Sequence, residues 1–117
     1  MIDVPRERFE DLVADALDGI PEELGKYMDN VAVFVVDVPP EPRLLGLYQG
    51  VPLTARGTSY SGTMPDRISI YRGPIQRVST SPRRQAEIVR ETVMHEIAHH
   101  FGISDERLTE LGRGDGD

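Results

Sequence analysis

Residues 81–105 read SPRRQAEIVRETVMHEIAHHFGISD. Ser81 can cap a helix with its side-chain oxygen, and Pro82 suits a first helical turn, where a missing N–H costs nothing. Gly102 stands just beyond a helix reaching Phe101, where glycine takes up a left-handed backbone at little steric cost. Between these signals Ile88, Val89, Val93, Met94, Ile97, Ala98 and Phe101 cover more than one face, so the second half of the helix is predicted to be buried. Inside it, His95 and His99 stand four residues apart and Glu96 follows His95. Residues four apart on a helix lie one above the other, so the two imidazoles can aim at one point. That geometry suits a zinc ion, whose Zn–N bonds are about 2.0–2.1 Å. Glu96, about 100° around the helix from His95, stands where a general base belongs, beside a metal-bound water.

A catalytic zinc site takes three protein ligands and keeps a position open. Gly102 lets the chain turn sharply below the metal, and Asp105 can return a carboxylate to it. The competing role for Asp105 is charge stabilisation at the start of a short last helix. Glu106, His100 or a loop residue could be the third ligand instead. The short motif H-E-x-x-H arises by chance in roughly one chain of this length in a few hundred, and with Gly102 and Asp105 added in roughly one in 10⁵.

On these residues the chain resembles the zincin metallopeptidases, in the extended form H-E-x-x-H-x-x-G-x-x-D. It is most similar to the minimal zincin family of small bacterial metallopeptidases, which carry the motif near the C-terminus. The resemblance implies one zinc ion on His95, His99 and Asp105, with Glu96 as general base, and a peptide or protein as substrate. It also implies an α+β fold, a small mixed sheet of about three or four strands packed on the long active-site helix and an N-terminal backing helix. There are departures from the larger metzincins. Met94 is the last methionine, so no methionine turn follows the third ligand, and only twelve residues follow Asp105. The irregular segment from Pro39 to Pro65 is then expected to supply the other wall of the cleft, with Tyr48, Tyr60 and Arg67 as candidates to polarise a substrate carbonyl or simply to pack. His100 reads as a packed residue or one supporting a ligand. Glu91, one turn before His95, reads as either a partner for its ring or an ordinary exposed charge.

The rest of the chain fits one domain over 1–111, with a disordered tail at 112–117. A first helix is expected from Pro5 to Asp18, with Phe9, Leu12, Val13, Ala16 and Leu17 on one stripe and Gly19 and Pro21 ending it. A short helical turn is expected from Pro21 to Lys26. The run Val31 to Val36 is apolar without alternation and reads as a strand covered on both faces. From Asp37 to Pro65 prolines and glycines leave room for two short extended pieces, Leu44 to Gln49 and Val51 to Thr54. Arg67 to Arg72 alternates and reads as a half-buried strand, with Ile68 and Ile70 inward and Gly73-Pro74 as its end. It is the expected edge for an extended peptide to join by strand addition. A last short helix is expected over 105–111.

Composition bounds the chemistry. There is no cysteine, which excludes thiol nucleophiles, disulfides and thiolate-held metals. With 13 Lys+Arg against 20 Asp+Glu the net charge is −7, which argues against a nucleic-acid partner. No apolar run approaches the roughly 20 residues that span a membrane, and the charged N-terminus lacks a signal region, so a cytoplasmic protein is expected. Nothing in the sequence fixes an oligomeric state. A zinc-binding module without proteolytic activity is the alternative reading, and Glu96 separates the two, because a closed structural site has no need of a base.

Overall fold

The computed structural model describes residues 2–25, 28, 30–50 and 66–102. Helix α1 spans Arg6–Asp18 and a single turn, α2, spans Glu22–Gly25. Strand β1 is Val31–Val36, β2 is Gly46–Gln49 and β3 is Asp66–Tyr71. Helix α3, Arg72–Val78, follows β3 directly, and α4 runs from Pro82 to His100. The fold is α+β, with a mixed sheet in the order β1-β3-β2. β1 and β3 are parallel, with Val33 opposite Ile68 and Val35 opposite Ile70. β2 and β3 are antiparallel, with Gly46 opposite Ile70 and Tyr48 opposite Ile68.

The core lies between one face of this sheet and the helices. Phe9, Val13 and Ala16 of α1 meet Ile68 and Ile70 of β3, Ile75 of α3, and Ile88, Val89, Val93 and Ile97 of α4. The spacing of each set is that of its element, alternate residues on the strand and steps of three or four on the helices apart from the adjacent Ile88 and Val89. The chain's first residues are tied across this layer. Gln85 donates to the Ile2 carbonyl at 2.8 Å, and Gln76 to that of Val4 at 3.0 Å.

Three expectations are corrected. β3 is the central strand and has a partner on each side, so it offers no edge to a peptide. Among the described strands the edge beside α4 is β2. β1 is not covered on both faces: Phe34 is exposed, with the Arg67 guanidinium 4.6 Å from its ring centroid, and the other β1 residues are half-buried. Gly73-Pro74 does not simply end β3, because both residues belong to the first turn of α3. There Pro74 gives up an N–H that the helix would leave without a partner anyway. The expected piece Val51 to Thr54, the helix over 105–111 and the tail at 112–117 lie outside the described residues.

Candidate metal centre

The motif helix begins and ends as its sequence requires. The Ser81 side chain accepts the Arg84 N–H at 3.0 Å, with Pro82 in the first turn. Gly102 has φ 81°, the left-handed backbone glycine favours, and its N–H donates to the His99 carbonyl at 2.9 Å. The inward side of α4 buries Ile88, Val89, Thr92, Val93, Glu96 and Ile97. His95 and His99 border a cleft of about 780 Å³, whose opposite wall is formed by residues 44–48 at and before β2.

The two imidazoles meet edge to face, with ring centroids 4.6 Å apart. Glu96 Oε1 lies 3.2 Å from His99 Nδ1. One ligand atom from each of His95, Glu96 and His99 falls within 4.8 Å of the others, so the group could hold a metal ion. The donor set of two imidazoles and a carboxylate, with no thiolate, fits zinc or another first-row divalent ion. Glu96 is 6% exposed, and β2 approaches it closely. A Cβ built on Gly46 would lie 2.8 Å from Thr92 Cγ2 and 3.1 Å from Glu96 Cγ. Glycine is therefore what lets the strand lie against the helix at this level.

Of the residues singled out in the sequence, His95, Glu96 and His99 come together. Asp105, Glu106 and Tyr60 lie outside the described residues. His100 turns away from the group: it is fully buried, with Nδ1 2.7 Å from Asp66 Oδ2. Tyr48 borders the cleft, but its hydroxyl donates to Asp66 at 2.6 Å. Arg67 is on the other sheet face, over Phe34. Glu91 pairs with Arg84 at 3.3 Å and is largely exposed, the behaviour of an ordinary helix charge. Sequence reasoning missed Gly46, Thr92 and Asp66. A glycine between Leu45 and Leu47 in a short apolar stretch is a sign of close backbone approach, and could have been read as one. Asp66, next to Pro65, has the composition of a turn and gave no such sign.

A sheet backed by a long helix that turns two histidines and a glutamate into a cleft is the architecture of a zincin. The chain belongs to the zincin-like metallopeptidase family, whose model matches residues 28–114. Among solved structures it is similar to a conserved hypothetical protein from Thermus thermophilus. That likeness has a TM-score of 0.58 at 25% identity, over 95% of this chain and 100% of the other. No curated protein matches the chain. Among the described residues no helix is long and apolar enough to cross a membrane.

Proposed function

We propose that the protein is a zinc-dependent peptide hydrolase. One ion is held by His95 and His99, with Asp105 as third ligand, and Glu96 acts as general base. The observation that carries this reading is the convergence of His95, Glu96 and His99 within 4.8 Å in a chain of this family. Zinc bound there would supply a Lewis acid and bring the pKa of a water toward about 7. Glu96 would accept a proton from the attacking water and hand it to the leaving amine. Burial suits Glu96 to this work, because its carboxylate is held on a packed helix face and has little conformational freedom to lose. The cleft walls contributed by Leu44, Leu47, Val78 and Ile88 are apolar. They fit the side chains of an extended peptide and lower the local dielectric around the reacting groups.

Metal analysis of protein purified without added zinc, paired with peptide-library cleavage by wild type and Glu96→Ala, tests the reading. Both proteins are expected to carry about one zinc, and only the wild type to cleave. Metal without cleavage by either would make the domain a zinc-binding module. Full zinc stoichiometry in His99→Ala would overturn the assignment of the site itself.

A further inference from the structure

His100 is the last residue of α4 and is fully buried, whereas His99 beside it borders the cleft. Its Nδ1 is 2.7 Å from Asp66 Oδ2, and the same carboxylate oxygen accepts the Tyr48 hydroxyl at 2.6 Å. The Tyr48 and His100 rings meet edge to face with centroids 5.8 Å apart. Asp66 itself is 2% exposed. Gly50 makes room for the arrangement, since a Cβ there would come within 2.6 Å of the Asp66 carboxyl and 2.9 Å of the Tyr48 hydroxyl. One buried carboxylate, at the first residue of the central strand, thus joins the end of α4 to β2.

Stability alone does not call for such a cluster. Burying an acid and an imidazole costs desolvation, and apolar packing of similar volume is often as stable or more so. A satisfied polar cluster does impose one geometry, because each partner left unpaired is penalised. Glu96 and His100 are four residues apart on the inward side of α4, about 6 Å along its axis. Gly46 and Tyr48 are two residues apart on one face of β2, about 6.8 Å along the strand. The spacings match, so the two pairs are consecutive rungs of one strand–helix contact. Gly46 packs on Glu96 in the first rung, and Tyr48 is joined to His100 through Asp66 in the second. A rotation or slip of α4 at the second rung would carry Glu96 and His99 with it.

We infer that Asp66 is a positioning residue for the metal centre. Through His100 and Tyr48 it fixes the rotation and height of the last turns of α4 against β2. Tying down that last turn keeps His99 where the helix places it relative to His95 and Glu96. The inference rests on reading the site as a metal centre.

Zinc affinity by chelator competition, the absorption spectrum of the cobalt(II)-loaded protein and thermal denaturation test it in wild type, Asp66→Ala, Asp66→Asn and His100→Phe. Groups that orient metal ligands from outside typically contribute roughly 10–100-fold to affinity. Asp66→Ala and His100→Phe should therefore bind zinc at least about tenfold more weakly, with shifted cobalt bands. Asp66→Asn keeps an oxygen that can accept from both Tyr48 and His100, and should retain near wild-type affinity and bands. His100→Phe keeps an aromatic ring in the core, so its melting temperature separates lost positioning from lost folding if Asp66→Ala does not fold. Wild-type affinity and spectrum in a folded His100→Phe or Asp66→Ala would overturn the role. So would an Asp66→Asn as impaired as Asp66→Ala. If the wild-type chain binds neither zinc nor cobalt, the metal-centre reading fails and this inference with it. If wild type binds and the variants match it, the positioning role alone fails.

Discussion

Gly46 shows how much of the site depends on a residue with no side chain. A methyl group there would meet Thr92 Cγ2 at 2.8 Å, Glu96 Cγ at 3.1 Å and the Ser69 carbonyl at 3.2 Å. The carbonyl belongs to the central strand and cannot yield, so Gly46→Ala must move β2, Thr92 or Glu96. Overpacking of this kind costs about 1–3 kcal/mol, which urea denaturation should read as a lower midpoint at unchanged slope. Turnover should fall further than in a surface variant of equal stability, because the displaced group includes the proposed base. Thr92→Ser removes the nearest methyl and keeps a hydroxyl for the bond that Thr92 makes to the Ile88 carbonyl at 2.7 Å. The double variant should recover part of both losses, and strict additivity of the two changes would show that this contact is not the cause. His95, Glu96 and His99 are legible because one helix fixes their relation within five residues. Gly46 and Asp66 owe their roles to partners 50 and 34 positions away, Glu96 and His100, which no local pattern records.

Among the elements, those that signal their own ends were the readable ones. Ser81-Pro82 and Gly102 bracket α4, and Gly19 closes α1 after the apolar stripe of Phe9, Val13 and Ala16. The strands were recognisable as strands but not by position in the sheet. Side-chain alternation in β3 reports its two faces, with Ile68 and Ile70 toward the helices and Arg67 away from them. Edge or centre is decided along the hydrogen-bonding direction, perpendicular to the side chains, so the alternation could not reveal it. α3 was hidden by a Gly-Pro pair that serves equally well to stop a strand or to enter a helix. The α4 cap offers a control for the site predictions. Ser81→Ala removes the 3.0 Å bond from the Arg84 N–H and should cost about 1 kcal/mol of stability. Ser81 is separated from His95 by almost four helical turns. Zinc affinity measured by chelator competition should therefore be unchanged, and a matching loss of affinity would mean that fraying at the helix start reaches the metal centre.

For the molecule as a whole, metal binding and folding should be coupled. The site joins the last turns of α4 to a small core, and an ion that binds only the folded chain stabilises it by mass action. At a free zinc concentration of about 100 times Kd the gain is about 2.7 kcal/mol. For a domain of this size that corresponds to a rise in melting temperature on the order of 10 °C. Chelation of the zinc-loaded protein should remove this increment, and added zinc should restore it. His99→Ala should melt at one temperature with or without zinc, because it lacks one of the two imidazoles. Ser81→Ala should instead melt lower in both states while keeping the gap between them, since its cap does not touch the site. The three patterns separate metal linkage from a general loss of stability. A wild-type melting curve indifferent to chelator and to added zinc would mean that His95, Glu96 and His99 converge without holding an ion.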